Sequence, residues 1–189
     1  MKTNSKWEMK KLGSVITLEY GKPLSHTKRF IDGLYPVYGA NGEKTRTNDF
    51  FCDKPSVIIG RKGSAGEINL TEKKFWPLDV TYFITFNDKQ YDLTFLFWLL
   101  RLLDLPKLAK GVKPGLNRNE VYDIDVSIPD IREQQKIVSK LDKLFENTKK
   151  LEDIARRNLQ NAKDIFNSVL KETFRNKADT DRQTDRQTD

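Results

Sequence analysis

A long helical pattern of apolar positions occupies the C-terminal part of the chain. Between Glu133 and Phe174, ten positions recur at alternating spacings of four and three, and eight of them are apolar. The ten positions are Ile137, Leu141, Leu144, Thr148, Leu151, Ala155, Asn158, Ala162, Ile165 and Val169. A narrow stripe of this length is typical of a helix that pairs with another helix. The pattern predicts a dimerisation helix that forms a rod of about 60 Å, since about 42 residues each add about 1.5 Å.

The polar members of this stripe, Thr148 and Asn158, are candidates for fixing the register of the paired helices; the alternative is that they face solvent or a partner. The apolar members are the predicted dimerisation residues. They are Ile137, Leu141, Leu144, Leu151, Ala155, Ala162, Ile165 and Val169.

The first 130 residues show mostly β-strand patterns. Aromatic and β-branched segments alternate with glycine and asparagine, and Asn41-Gly42 indicates a hairpin turn. The predicted strands include Tyr35–Tyr38, Ser56–Gly60, Val80–Phe86 and Ile124–Ile128. Leu93–Leu108 is apolar nearly all round and predicts a core helix. The fold class is therefore α+β: a mixed, mostly β globular domain with a core helix, followed by one long helix in an intermolecular coiled coil.

The domain boundary is predicted at Asp130, because Asp130 and Glu133 resemble a capping box that begins the long helix. This places a globular domain at 1–130, the helix at 131–175 and a tail at 176–189. The tail is rich in Asp, Thr, Arg and Gln without apolar periodicity, so we expect it to be disordered.

The tail repeats Thr-Asp-Arg-Gln, first at Thr180–Gln183 and again at Thr184–Gln187. The tetranucleotide ACAG read in successive frames encodes this repeat. We hypothesise a slippage-prone tract in the gene, which would make the product phase-variable. The alternative is a short polar tail of no consequence.

The charge balance favours a polyanionic partner. The chain has 34 Lys and Arg residues against 27 Asp and Glu residues, a net charge of +7, although this mixed surface is unlike that of a histone. The single cysteine, Cys52, cannot form an internal disulfide, and no basic-then-apolar leader precedes Trp7. We therefore expect a cytoplasmic protein. The longest apolar run, Phe95–Leu100, is too short to cross a bilayer, so no membrane role is expected.

The residues offer little for catalysis. Gly60–Gly66 lacks the spacing of a nucleotide-binding phosphate loop. One interpretation is a tight turn between strands. The other is a turn whose backbone N–H groups and cations, Arg61 and Lys62, approach DNA, and the two interpretations are compatible. A single histidine and a single cysteine exclude a Cys/His zinc cluster, and no acidic pair is placed for acid/base work. No cofactor or metal is expected on this chain, and catalysis would come from a partner.

The candidate DNA-binding residues are cations in glycine- and asparagine-rich loops, where backbone can enter a groove. Arg46, Arg61 and Arg118 are the candidates for base contacts. Phosphate contacts are predicted for Lys44, Lys62, Lys110 and Lys113, and Ser64 completes the set. The alternative is that these cations form a solvated face and most aromatic residues belong to the core.

Three stretches resemble the DNA specificity subunits of type I restriction-modification systems: Ile58–Gly66, Trp76–Tyr82 and Ile128–Asp142. The resemblance implies a target recognition domain followed by a spacer helix, usually twice per chain, that reads the two halves of a split double-stranded DNA site. This sequence has one of each and is similar to a half-subunit. Two copies with antiparallel helices would read a site whose halves are inverted repeats.

The resemblance also implies partners. Methylation subunits bind around the spacer helices and bring S-adenosylmethionine, and a translocating nuclease, the restriction subunit, can join them. The chain itself would recognise the target DNA sequence and would not catalyse the reaction. Two alternatives stay open: a coiled-coil interaction module without DNA specificity, and an inactive fragment of a longer subunit produced by frameshifting in the tail.

Overall fold

The structure is a computed structural model that describes residues 7–185, with side chains described through Phe174. The chain divides into two compact units, Met1–Ser139 and Lys140–Asp189. The strands are β1 (Glu8–Lys11), β2 (Ile16–Tyr20), β3 (Tyr35–Gly39), β4 (Gly42–Thr47), β5 (Ser56–Gly60), β6 (Ile68–Thr71), β7 (Trp76–Pro77), β8 (Thr81–Phe86) and β9 (Asp125–Ile128). The α-helices are α1 (Leu93–Leu102), α2 (Arg118–Tyr122) and α3 (Ile131–Asp185). The predicted α+β class, a sheet-rich domain followed by a long helix, is confirmed.

The strands of the first unit form three small sheets. The largest has four antiparallel strands in the order β2-β8-β5-β6. A second sheet has the order β4-β3-β7, with β3 parallel to β7. The third pairs β1 with β9. The turn predicted at Asn41-Gly42 joins β3 to β4, and Gly42 has a φ of +108°, which favours glycine.

The core lies on both faces of the four-stranded sheet. Ile59 packs in the main cluster with Leu96 and Leu100 of α1. Its neighbour Ile58 packs on the opposite face with Phe75 and Phe83. Successive side chains of a strand point to opposite faces, so β5 is buried on both sides. This explains why its sequence is a continuous apolar run and not an alternating one.

The core helix is shorter than the predicted Leu93–Leu108, so that prediction is wrong in its extent. The helix α1 ends at Leu102, Asp104 adopts a left-handed φ of +50°, and a 3-10 turn follows at Leu105–Leu108. Pro106 has no backbone N–H and disfavours helical backbone before it, which accounts for the break. Leu102 is also exposed, so the helix is not buried all round.

The segment before β9 contains the short helix α2, which the sequence analysis did not predict. The side chain of Asn117 accepts a hydrogen bond of 2.9 Å from the backbone N–H of Asn119, as expected of an N-cap residue. Val121 of this helix is buried in the main core. Five residues are too few to show a helical period in the sequence, which is why the helix was missed.

The helix α3 begins where the sequence predicts. The backbone N–H of Glu133 donates to Oδ1 of Asp130 over 3.0 Å, which is the predicted cap. The carboxylate of Glu133 forms an ion pair with Lys136 at 3.1 Å. Ile137 and Val138 pack against the main core, so the first turns of α3 belong to the first unit.

The end of α3 differs from the sequence prediction. The helix continues through Asp185 and includes residues 176–185, which were predicted to be disordered. The chain has no glycine or proline after Pro129. Because extending a formed helix is easier than nucleating one, polar residues without apolar periodicity can still continue it. The rest of the predicted tail, 186–189, lies outside the described residues.

In the second unit, the described side chains of α3 between residues 142 and 174 are all exposed. Among the helices that the structure describes, none combines the length and apolarity needed to cross a membrane.

Candidate nucleic-acid interface

The guanidinium of Arg61, directly after β5, is held from two directions. Its Nε and Nη2 atoms both donate to the backbone carbonyl of Asp79, at 3.1 and 2.6 Å. Its Cζ lies 5.3 Å from the ring centroid of Tyr20 and 5.9 Å from that of Tyr82, within the range of cation–π attraction. The carbonyl occupies the edge formed by Nε and Nη2. The other edge, formed by Nη1 and Nη2, therefore keeps donors for an external partner.

A second guanidinium shares the ring of Tyr20. The Cζ of Arg118, at the start of α2, lies 5.4 Å from the centroid of Tyr20 and 5.8 Å from that of Tyr122. The guanidinium of Arg118 makes no hydrogen bond or ion pair within the part of the chain whose side chains the structure describes. Its N–H donors are therefore available to a ligand.

The tyrosines that contact these arginines are fixed by the fold. Tyr20 of β2 lies opposite Tyr82 of β8 in the strand register, and their rings meet edge-to-face at 5.1 Å. The Tyr82 hydroxyl donates to the Leu116 carbonyl over 3.3 Å. The Tyr122 hydroxyl accepts from the Leu18 backbone N–H over 2.8 Å. Burial, together with a hydrogen bond to Tyr20, raises the pKa of Tyr82 to about 12, so this phenol stays neutral at physiological pH.

Sequence analysis missed this tyrosine cluster. The cluster follows from the antiparallel pairing of β2 with β8, which places Tyr20 directly opposite Tyr82. Tyr20 is 49% exposed and borders a shallow depression of about 390 Å³. That depression is lined by Tyr20, Tyr82, Gly115, Leu116, Asn117, Arg118 and Asn119.

Two loops that carry most of the predicted DNA-binding residues are hydrogen-bonded to each other. The backbone N–H of Leu116 donates to the carbonyl of Arg61 over 2.9 Å, and that of Gly63 donates to Pro114 over 2.9 Å. Gly63 has a φ of +79°, a conformation that favours glycine. Five of the eight predicted residues lie on these two loops, and a sixth, Arg118, begins α2 directly after the second loop. The five are Arg61, Lys62, Ser64, Lys110 and Lys113.

The lysines of these loops differ in their surroundings. Lys62 and Lys113 are exposed, and neither ammonium group pairs with another residue of the part that the structure describes. Lys110 forms an ion pair with Glu120 at 2.6 Å. Lys62 and Lys113 are therefore better placed than Lys110 to meet phosphate, because their charge is not already partnered. Ser64 is partly exposed in the same turn.

The other two predicted DNA-binding residues, Lys44 and Arg46, lie apart from these loops on β4. Arg46 uses all three side-chain nitrogens inside the protein: Nε donates to Gly33 over 2.6 Å, Nη2 to Leu34 over 3.1 Å and Nη1 to Glu43 over 3.2 Å. This arginine fastens the loop before β3 to β4, which leaves it less to offer a base than Arg61. Lys44 is exposed, and its aliphatic part lies along Gly39.

Six of the eight predicted dimerisation residues lie exposed on α3, whereas Ile137 packs against the core of the first unit. Leu144 is 61% and Ile165 is 65% exposed. Leu151, Ala155, Ala162 and Val169 are exposed as well, and Ile137 and Leu141 are partly buried. We call the predicted stripe of ten positions from Ile137 to Val169 the seam of α3. Leu159 and Phe166 are also exposed, and each directly follows a residue of the seam, Asn158 or Ile165. The apolar face is thus wider than the predicted stripe. The spacing rule missed these neighbours because it follows only two positions per heptad.

Two features bear on other chemistry. Among residues 7–185, no group of three or more His, Cys, Asp or Glu side chains is placed to hold a metal ion. Burial raises the pKa of the Cys52 thiol to about 12, so at neutral pH it is a thiol and a poor nucleophile.

Comparison with known proteins decides the family. A family model described as the type I restriction modification DNA specificity domain matches residues 4–160. The chain belongs to this family. It is 31% identical, over 155 residues, to the type I restriction enzyme EcoDI specificity subunit of Escherichia coli, covering 78% of this chain and 34% of that subunit.

Solved structures share the fold of this chain. The crystal structure of the type I restriction-modification S subunit from M. genitalium matches with a TM-score of 0.69 and 21% identity, covering 83% of this chain and 44% of that one. A chain from a structure on complex assembly and conformational transition of the type I R-M system matches with a TM-score of 0.62 and 17% identity, covering 80% and 42%. This specificity-domain chain thus spans less than half the length of these relatives.

Proposed function

We propose that this chain is a sequence-specific DNA-binding specificity subunit in which Arg61 and Arg118 contact bases. The observation that carries the proposal is the state of Arg61, whose guanidinium is fixed by the Asp79 carbonyl and still has a free two-donor edge. An edge of this kind suits guanine, which presents O6 and N7 as paired acceptors in the major groove. Lys62 and Lys113, on the same pair of loops, are assigned to phosphate.

The chain acts as a homodimer of half-subunits that reads a bipartite, palindromic site. One observation supports this step: α3 exposes the apolar side chains of Leu144, Leu151, Ile165 and Val169 along one face. A helix with such a face gains stability by burying it against another helix. A twofold coiled coil with antiparallel helices presents identical recognition domains to inverted half-sites.

Catalysis belongs to partner subunits under this proposal. Methylation subunits bring S-adenosylmethionine and the restriction subunit brings the nuclease, while this chain selects the site in the cytoplasm. Support comes from membership of the specificity family and from the likeness to a chain of the type I assembly structure. Under this proposal, the cluster of Tyr20, Tyr82, Tyr122, Arg61 and Arg118 binds and orients DNA.

The repeated tail is assigned to phase variation of the gene. Thr180–Gln183 and the following repeat match an ACAG tract, whose slippage would join this half-subunit to different downstream frames. Sequencing the tract from many sibling cells tests this assignment. Tract lengths that vary in steps of four nucleotides support it, and an invariant length overturns it.

A base-modification map of the host genome, with and without this protein, tests the proposed function. We expect one motif, made of two inverted half-sites around an unread spacer, to be methylated only when the protein is present. Co-purification of the methylation subunit is the accompanying readout. A protein that co-purifies with a partner but changes no methylated motif would be an interaction module, and one that does neither would be an inactive fragment. Either result overturns the proposal.

A further inference from the structure

We infer that Tyr20 is a positioning residue for base recognition, because its single ring holds both Arg61 and Arg118 in place as a pair that reads guanine. The inference rests on the proposed function and deepens it. Tyr20 is the only residue that both arginines contact among the cation–ring contacts of the described residues. Neither arginine needs to be held by a carboxylate, which would compete with DNA for the same donors.

The geometry assigns different supports to the two arginines. Arg61 has the Asp79 carbonyl in addition to the rings of Tyr20 and Tyr82. Arg118 has only the rings of Tyr20 and Tyr122. Removing the ring of Tyr20 therefore leaves Arg61 with its hydrogen bonds and leaves Arg118 with one ring contact. We expect the larger loss of order at Arg118.

The ring of Tyr20 is well supported for this task. Its edge-to-face contact with Tyr82 fixes one side, and β2 continues into the buried Leu18. The ring is half exposed, so the arginines beside it can still reach solvent. The ring attracts both guanidinium groups, at 5.3 and 5.4 Å from its centroid, without presenting the anionic acceptor that a carboxylate would place on their N–H donors.

Pre-ordering an arginine matters for specificity more than for general affinity. A flexible guanidinium can follow any phosphate, whereas two simultaneous hydrogen bonds to one base require a fixed plane. A good bidentate pair discriminates against the wrong base by about 1–3 kcal/mol. Loss of the Tyr20 ring should therefore lower preference for guanine while leaving the number of cations, and so the salt dependence of binding, unchanged.

The test is selection from a library of DNA duplexes with a randomised central segment, using the full chain with the methylation subunit of its host. The variants are Tyr20→Leu, which removes the ring, and Tyr20→Phe, which keeps the ring without its hydroxyl. Tyr35→Leu is the matched control: the ring of Tyr35 packs on Phe50 at 5.2 Å, and no arginine of the described residues makes a cation–ring contact with it. Arg118→Lys keeps the charge, loses the planar fork and leaves Tyr20 intact.

We expect the wild type, Tyr20→Phe and Tyr35→Leu to select the same motif. Tyr20→Leu and Arg118→Lys should lose about tenfold in preference at the same guanine, within the range that one bidentate contact supplies. Affinity for nonspecific DNA and its salt slope should stay within about twofold. If Tyr20→Leu folds and its preference for guanine is unchanged, the inference is overturned and the proposed function still stands. If Tyr20→Leu does not fold, an unchanged preference for guanine in Arg118→Lys overturns the inference in the same way. A wild-type protein that selects no motif overturns the proposed function itself.

Discussion

The side-chain Oε1 of Gln134 accepts a hydrogen bond of 2.9 Å from the backbone N–H of Asp92. Asp92 in turn caps α1, since its carboxylate accepts from the backbone N–H of Phe95 over 2.9 Å. Gln134 also donates through Nε2 to the carbonyls of Gln90 and Pro129, at 3.1 and 2.9 Å. One fully buried amide therefore joins the first turn of α3 to the start of α1.

Replacing this amide should weaken the domain. Gln134→Leu would leave the backbone groups of Asp92, Gln90 and Pro129 without their partner, and an unsatisfied buried group costs about 1–3 kcal/mol. We expect the free energy of unfolding to fall by about 2–3 kcal/mol in urea denaturation. The neighbouring Gln135→Leu is the control, because Gln135 is exposed. Equal stabilities for the two variants would contradict the role given to Gln134.

Arg61 and Arg46 should differ in how the same substitution affects sequence discrimination. Arg61→Lys removes the fork that fits a base, so sequence discrimination should fall by about tenfold, and loss of the hydrogen bonds to the Asp79 carbonyl should lower stability as well. Arg46→Lys breaks contacts to Gly33 and Leu34, so it should lower stability by about 1–2 kcal/mol and keep the preferred motif. Duplex selection and thermal unfolding of both variants provide the measurements. A changed motif in Arg46→Lys would restore Arg46 as a base-contacting residue.

The seam of α3 can be tested by charge. Leu144→Lys with Leu151→Lys would place cations on the apolar face and should dissociate the dimer in sedimentation at micromolar concentration. Binding to a two-part site should weaken far more than binding to a half-site, since the second contact would no longer be intramolecular. Gln160→Lys with Asn167→Lys adds the same charge away from the seam and should leave the dimer intact. A wild-type protein that sediments as a monomer would contradict dimerisation.

The phenol of Tyr82 predicts a pH dependence at alkaline pH. Its folded pKa of about 12 lies above the ordinary value of 10.0, so the neutral form stabilises the fold. That contribution is fully present below pH 10.0 and is lost as the pH rises toward 12. Tyr82→Phe should therefore lose less stability than the wild type across this window. Parallel alkaline unfolding curves of the two proteins would contradict the shift.

The sequence predicts those parts of the fold that depend on local pattern. The buried run of β5, the turn at Asn41-Gly42 and the start of α3 follow from strand propensity, turn chemistry and capping, which act within a few residues. The premature end of α1 could have been anticipated, since Pro106 stands inside the predicted helix.

The candidate site was less accessible to such reasoning. The two cation-bearing loops could be picked from composition, but their mutual hydrogen bonds join residues more than fifty positions apart. The same is true of Tyr20, which meets Arg61 and Arg118 only once β2 pairs with β8. Composition also cannot show that Arg46 donates its hydrogen bonds to the carbonyls of Gly33 and Leu34, or that Arg61 keeps the Nη1–Nη2 edge of its guanidinium free.

The central claim is that paired α3 helices set the distance between two identical recognition domains. Inserting one heptad into α3 between Leu151 and Ala162 tests it most directly, with a base-modification map as the readout. Seven residues add about 10 Å to the helix pair, which is about three base-pair steps. The account predicts the same inverted half-sites with a spacer about three base pairs longer. A methylated site with the same half-sites and an unchanged spacer would contradict it.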